Sequence, residues 1–428
     1  MPVDLSNVAL PQLFDAKQKE LLRRHVADGL IRVTFHPLSP LAIWNYTQRA
    51  TFTLQEEWTS VMEMCRGLIT HTVTGHVIAR PFRKFWNAAP VATDNPGGLT
   101  WHVTEKLDGY LGIFWSLMGR EEWQQREREW QQRDLYKTAG VLWGVASRGS
   151  FTSPHAQRAT NWLRDWLVDL RRYNFYKFPD FFLHHTPLFE CLFPEFRIVV
   201  PYQREEGLTV IAMVDNATGA EMLPVPGGIF GLNSVQRVNI SLEDALKDDR
   251  PGHEGYVFLN ARFDAGVPTV LRLKVKTAWY RQCHKLLYGL HERGVAEALR
   301  NGTLEAMLQH ASILPEVRQK VQSCADAITK HVNDMEANVQ EVMNLLRDEI
   351  NSNSVPPEEF RKEYARRVTK NYTAPLTNAL FLALDDMVKA RSRTDYQPRL
   401  REFLLKVVAQ NCDTTPLLSH DDDDADEA

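Results

Sequence analysis

The stretch Thr104-Glu105-Lys106-Leu107-Asp108-Gly109 decides how this chain is read, because it sets a lysine two residues ahead of an Asp-Gly turn at the end of a short strand. An amine in that place is a candidate covalent nucleophile, held by the strand and open to whatever the turn brings near it. Alone the pattern says little, since ordinary residue frequencies produce Lys-x-Asp-Gly in about one chain in ten of this length. Its neighbours along the chain decide. Upstream stand Cys65-Arg66-Gly67 and Pro81-Phe82-Arg83-Lys84-Phe85-Trp86-Asn87. Downstream follow Ala146-Ser147-Arg148-Gly149-Ser150-Phe151, Phe189-Glu190, Glu254-Gly255-Tyr256-Val257 and Leu273-Lys274-Val275-Lys276.

Around these motifs the texture of the chain changes twice. Up to about residue 280, short runs rich in Val, Ile, Phe and Leu alternate with Gly, Pro and Asn. They predict strands at 67–70, 76–80, 110–115, 141–147, 188–193, 208–214, 256–260 and 270–275, with helices at 12–27, 155–172 and 242–248. From about 281 to 412 the pattern is helical, with long amphipathic stretches at 314–348 and 357–370 and breakers at Pro356-Pro357 and Pro375. The expected fold class is α+β: an antiparallel-sheet domain over residues 1–280, then an all-α domain over 281–412. Residues 413–428 carry seven acids and no Lys or Arg, which predicts a disordered tail.

Composition sets outer limits. With 428 residues, 44% of them hydrophobic and 24% charged, the chain has the make-up of a globular protein of two or three domains. Removing the seven acids of the tail from a formal net charge of -4 leaves the body at +3, so a phosphate-bearing partner is not repelled. Five widely spaced cysteines without a Cys-x-x-Cys pair suggest neither a disulfide framework nor a zinc site. No basic region followed by an apolar run opens the sequence, and no window approaches 18 uninterrupted apolar residues. A cytoplasmic protein is expected.

Taken together, the ordered motifs resemble those of the covalent nucleotidyltransferase superfamily of ATP-dependent ligases and capping enzymes. Within it the chain resembles the phage-type RNA ligase 1 family, over residues 60 to 280. The resemblance implies that Lys106 becomes adenylylated and that Asp108 and Glu254 hold a divalent metal, Mg²⁺ or Mn²⁺, largely through water. It implies that Lys274 and Lys276 grip the α-phosphate of ATP, that Glu190 meets the ribose, and that Arg148 lies near the sugar or incoming phosphate. Arg66 and Lys84 match residues that contact the β and γ phosphates. Glu105 and Val257, inside the same motifs, complete the expected ATP-binding set. DNA ligases and capping enzymes continue into a small β-barrel after the last lysine motif, whereas this chain turns helical from Ala278, which favours RNA ligase. The implied partner is RNA with 5′-phosphate and 3′-hydroxyl ends, tRNA among the candidates, in an RNA repair reaction.

The chemistry asks for these residue types independently. A lysine with an unperturbed pKa of ~10.4 presents a free amine about once in a thousand at neutral pH. Cations gathered around it and burial at a strand end disfavour the charged form. The same cations neutralise charge on a transferring phosphoryl group and on departing pyrophosphate. Hard carboxylate oxygens suit Mg²⁺ that keeps several waters.

Each residue also has a plain explanation. A Lys-x-Lys strand end discourages edge pairing, Glu-Gly is a turn, and Phe189-Glu190 is a buried strand end whose acid reaches solvent. Two His-x-Thr triplets, His102-Val-Thr104 and His184-His-Thr186, raise a phosphoesterase reading by acid–base catalysis. A non-catalytic RNA-binding protein that kept the pocket, or a DNA ligase, stand as further alternatives. No Gly-x-x-x-x-Gly-Lys-Ser/Thr loop accompanies the motifs. The repeat Glu122-Trp-Gln-Gln-Arg126 and Glu129-Trp-Gln-Gln-Arg133 puts Trp123 and Trp130 on one helix face, to pack on the body or to stack on bases. Strand 208–214 lacks the aromatic residue that related enzymes stack on adenine. In the helical region, 356–406 holds eleven Lys or Arg against seven acids, and Lys362, Arg366 and Lys370 share a face suited to phosphates or simply to solvent.

Overall fold

The computed structural model describes residues 4–54, 58–87, 101–118, 139–170, 184–200, 206–222, 231–264, 267–311, 315–390, 399–412 and 414. The tryptophan repeat and the acids from Asp413 onward lie outside the described residues. The chain divides between Arg281 and Gln282 into two compact units.

Strands in the first unit are β1 (Ile31–Phe35), β2 (Leu41–Tyr46), β3 (Arg66–His71), β4 (Val77–Ala79), β5 (Trp86–Asn87), β6 (His102–Lys106), β7 (Tyr110–Ser116), β8 (Trp143–Ala146), β9 (His185–Leu192), β10 (Gly207–Asp215), β11 (Glu221–Met222), β12 (Asn233–Ser234), β13 (Gly255–Asp264) and β14 (Val267–Lys276). They form three sheets. The first runs β1-β2-β3-β4 and the second β11-β10-β9-β7-β8, with β12 parallel to β10. The third runs β5-β14-β13-β6, antiparallel except for β5 beside β14.

Helices α1 (Ala16–Ala27), α2 (Gln48–Leu54) and α3 (Ser60–Met64) accompany the first sheet, α4 (Pro154–Leu170) the second and α5 (Leu242–Lys247) the third. α1 starts at residue 16 rather than 12 because Asp15 accepts from Gln18 N at 2.8 Å while Gln18 accepts from Asp15 N at 3.0 Å, a reciprocal cap.

Alternation along the strands explains the layering. On β2, Ala42, Trp44 and Tyr46 join the core shared with α1, while Leu41 and Ile43 join a core shared with the second sheet. On β7, Ile113 and Trp115 meet that shared core, and Tyr110 and Phe114 turn towards α4 with Trp143, Leu163 and Phe189. A strand buried on both faces reads as a continuous apolar run without alternation, so β2 shows no period-two pattern in the sequence.

Helices make up the regular structure of the second unit. Helix α6 (Ala278–Gly289) spans the division; α7 (Glu292–Asn301), α8 (Leu304–Ala311), α9 (Pro315–Ser352), α10 (Phe360–Asn371), α11 (Leu376–Ala390) and α12 (Leu400–Asn411) follow. The 38-residue α9 packs against α11 and α12. Asp386 on α11 caps α12 by accepting from Arg399 N at 2.8 Å and Leu400 N at 2.9 Å. Among the described residues, no helix is long and apolar enough to cross a membrane.

Candidate active site

The third sheet sorts its residues by face. Gly255 on the central strand β13 stands opposite Lys106 on β6 and opposite Lys276 on β14. Two positions along, Val257 stands opposite Thr104 and Lys274. Side chains directly opposite one another share a face, so Lys106, Lys274, Lys276 and Val257 project together. The other face carries Val103, Tyr256, Phe258 and Val275, which bury against Ala245 of α5. Glu105 alternates with Lys106 and pairs with Tyr256, so this expected ATP-binding side chain is carried to the face away from the lysines.

At the head of β13 the chains approach closely. A Cβ on Gly255 would sit 1.9 Å from Val275 O and 2.9 Å from Lys276 Cα, a place open to glycine only. Thr277 fixes the same point: its amide donates to Glu254 O at 2.8 Å and its hydroxyl to His253 O at 2.7 Å. Glu254, only 2% exposed, is thereby brought to Lys106, where its Oε1 lies 2.7 Å from Nζ.

Lys106 ends β6 because Leu107 next turns inward, buried with Leu192 and Val235. The chain thus crosses from the third sheet to the second. In the crossing, Gly109 N donates to Glu190 Oε1 at 2.9 Å, so the two acidic and lysine motifs meet there. Asp108 is 3% exposed, and its carboxylate is engaged by protein donors. Val199 N and Val200 N donate to Oδ2 at 2.7 and 2.6 Å, and the Tyr280 hydroxyl donates to Oδ1 at 2.6 Å. Tyr280 itself is placed by Thr277, whose hydroxyl accepts the Tyr280 amide at 3.1 Å.

The remaining expected residues come from the first and second sheets. Arg66 and Arg148 are both buried, and Gly67 makes their approach possible: at φ +91 its Cβ would meet Ile113 Cδ1 at 2.6 Å and the Arg148 backbone at 3.2 Å. Aromatic rings gather the cations. Arg66 and Lys274 lie 5.3 and 5.7 Å from the centroid of Phe85, Arg148 lies 5.5 Å from that of Tyr46, and Lys276 5.3 Å from that of Tyr280. Lys84 lies 4.4 Å from the Trp58 ring centroid and 4.7 Å from that of Tyr46. Arg272, two residues before Lys274, pairs with Glu221 and stacks on Phe82 at 3.9 Å.

Tyr46, Trp58, Phe85, Arg272 and Tyr280 escaped the sequence reading. Only the nearness along the chain of Phe85 to Lys84, of Arg272 to Lys274 and of Tyr280 to Lys276 signals three of them.

Donor chemistry suits a hydrated cation better than a stripped one. Among the described residues no three His, Cys, Asp or Glu side chains group tightly enough to cage an ion, while Glu254 offers a hard carboxylate beside Lys106. The His-x-Thr triplets are spread over two sheets. His102 is exposed at the start of β6, whereas Thr186 is buried in β9, accepting from Arg80 N at 2.8 Å and donating to Asn216 Oδ1 at 2.6 Å. On α10, Lys362, Arg366 and Lys370 are exposed, and Arg366 pairs with Glu363 at 2.7 Å.

The sequence profile of a family described as RNA ligase matches residues 64–280, just over half of the chain. A protein of Thermovibrio ammonificans named "Putative RNA ligase" is 28% identical over 237 residues, 53% of this chain and 54% of that protein, so the chain spans about half the length of the curated relative. An archaeal ATP-dependent RNA ligase structure aligns with a TM-score of 0.37 at 12% identity, over 74% of this chain and 79% of that one. A Naegleria gruberi RNA ligase variant solved with ATP and manganese aligns with a TM-score of 0.29 at 15% identity, over 45% and 53%. Those two structural scores are too low to bear on the site.

Proposed function

The chain belongs to the RNA ligase family, and we propose that it joins RNA ends at the expense of ATP through a lysyl-AMP intermediate on Lys106. The observation that carries this reading is the ladder at Gly255, which sets Lys106 and Lys276 on one face with Glu254 2.7 Å from the Lys106 amine. In the first step Lys106 Nζ, having released its ammonium proton, forms a bond to the α-phosphorus and sheds a second proton to solvent, the bond from that phosphorus to the α,β-bridging oxygen breaks, and pyrophosphate leaves with that electron pair. The AMP then passes to an RNA 5′-phosphate, and a 3′-hydroxyl displaces it.

Each residue takes a part suited to its place. Glu254 holds the Lys106 amine in position. Lys274 and Lys276, on the same face, meet the charge that develops on the α-phosphate. Arg66 and Lys84 serve the β and γ phosphates, Arg148 and Glu190 the sugar end, and Val257 the base. A hydrated Mg²⁺ or Mn²⁺ beside Glu254 would supply further charge neutralisation at the phosphates. Asp108 enters as a positioning residue, because its carboxylate ties the crossing after Lys106 to the Val199–Val200 segment and to Tyr280. Damaged RNA, tRNA among it, is the proposed substrate, and the cytoplasm the proposed location.

The test is direct. Purified protein incubated with α-labelled ATP and Mg²⁺ acquires label and the mass of one AMP, and Lys106→Ala abolishes both. Undiminished labelling of that variant removes the assignment. Wild type that takes up no label under varied metals favours a binding protein that kept the motifs.

A further inference from the structure

Lys84 is held by the short helix α3 at its backbone and by two aromatic rings at its ammonium. Its amide donates to Glu63 O at 2.9 Å. Its ammonium lies 4.4 Å from the ring centroid of Trp58, immediately before the N-cap Thr59, and 4.7 Å from that of Tyr46. The two rings meet edge to face, 5.0 Å apart at 87°, so perpendicular aromatic faces bracket one ammonium.

Helix α3 is itself pinned. Val61 and Met62 are fully buried, and the Thr59 hydroxyl lies 3.2 Å from Nε2 of the buried His25. At its other end Cys65 O accepts the Tyr46 amide at 2.8 Å, and Arg66 opens β3 directly after. One turn of helix therefore sets the Trp58 ring, the Lys84 backbone and the start of Arg66 relative to one another.

We propose that Trp58 is a positioning residue for the β and γ phosphates of ATP, acting through Lys84. The inference rests on the nucleotidyl-transfer reading above. A ring face draws a positive charge without offering an acceptor lone pair, so Trp58 contributes place rather than neutralisation. AMP, lysyl-AMP and an RNA-adenylate all lack the two outer phosphates. An effect routed through Lys84 is then confined to ATP binding, adenylylation and its reversal by pyrophosphate.

A merely structural tryptophan behaves otherwise, because loosening α3 disturbs every nucleotide alike. The experiment compares wild type, W58L and W58F by calorimetry with AMP and with the α,β-methylene analogue of ATP, and by sealing of chemically pre-adenylated RNA. W58L is expected to bind the triphosphate analogue about tenfold more weakly, or about 1.4 kcal/mol, with AMP affinity and sealing of pre-adenylated RNA unchanged. W58F, which keeps a ring face, restores most of the loss. Equal weakening of AMP and the analogue, W58F no better than W58L, or unchanged affinity for the analogue each overturn the role of Trp58. Wild type that binds the analogue but forms no lysyl-AMP overturns the underlying reading instead, and this inference with it.

Discussion

Replacing Gly255 by alanine tests the geometry of the site more sharply than removing any charged group. The added Cβ would lie 1.9 Å from Val275 O and 2.9 Å from Lys276 Cα, both backbone atoms that no rotamer change can move. Non-bonded heavy atoms rest at about 3.5 Å, so β13 and β14 must part at this end by more than about 1 Å. The Gly255–Lys276 pair is the last of their ladder, so the strands fray there while the pairs from Tyr256 to Asp264 hold. Stability should therefore fall by about 1–3 kcal/mol, the cost of overpacking and of a side chain at positive φ. Catalysis should fall with it, because Lys276 and Glu254 move relative to Lys106 together, and a displacement of about 1 Å can cost about a hundredfold in rate. Single-turnover lysyl-AMP formation at saturating ATP measures the chemistry, and a thermal melt measures the fold. A variant that melts near wild type and adenylylates within about threefold of its rate would refute the claim that this ladder end sets the reacting groups.

Other predictions follow from neighbouring contacts. Lys106→Ala removes one partner of the buried Glu254 carboxylate; a lowered unfolding midpoint is expected, with Lys106→Met combined with Glu254→Gln recovering part of it. Tyr280→Phe removes a hydroxyl that donates to the buried Asp108 carboxylate at 2.6 Å, a charged hydrogen bond contributing about 1.5–3 kcal/mol; denaturant unfolding checks the loss, and unchanged stability and adenylylation would show Asp108 indifferent to it. Burial raises the Asp248 carboxyl, but hydrogen bonds from Arg250 and Tyr256 outweigh it and bring it to about 2. Its contribution to stability is therefore full above the ordinary carboxylate range and is lost as pH falls towards 2. Asp248→Asn should flatten the decline in melting temperature over that acid range, and an unaltered profile counts against the contact.

Much of the fold was legible in the sequence where a strand faces solvent or pocket on one side. The Lys-x-Lys spacing at 274 and 276 already puts both amines on one face, and the structure sets Gly255 between Lys276 and Lys106. The same alternation turns the Glu105 side chain to the face opposite Lys106, as for any neighbours on a strand. β2 stayed hidden because Leu41–Tyr46 is buried on both faces and shows no period-two signal, whereas Ile31–Phe35 of β1 does alternate, with Ile31 and Val33 buried and Arg32 exposed. The surroundings of Asp108 were beyond reach for another reason. Its partners Val199, Val200 and Tyr280 lie 91, 92 and 172 residues away, and backbone donors carry no residue signature at all. The cradle of Lys84 was likewise invisible, since Tyr46 and Trp58 meet it only once α3 has folded against the first sheet.

A sheet that gathers three lysines on one face needs an account of why it stays together. Like charges directly opposite across a ladder cost up to about 1 kcal/mol. Lys106 and Lys276 are not directly opposite, because Gly255 stands between them on β13, which separates their backbones by two strand spacings, about 9.5 Å. Across that gap a phosphate can take up charge from both sides. On the reverse face Val103, Tyr256, Phe258 and Val275 are all buried against α5, and each large apolar side chain removed from water contributes about 1.5–3 kcal/mol. Burial on one face therefore outweighs repulsion on the other, and the sheet can present its lysines to a polyanion without needing that polyanion in order to fold.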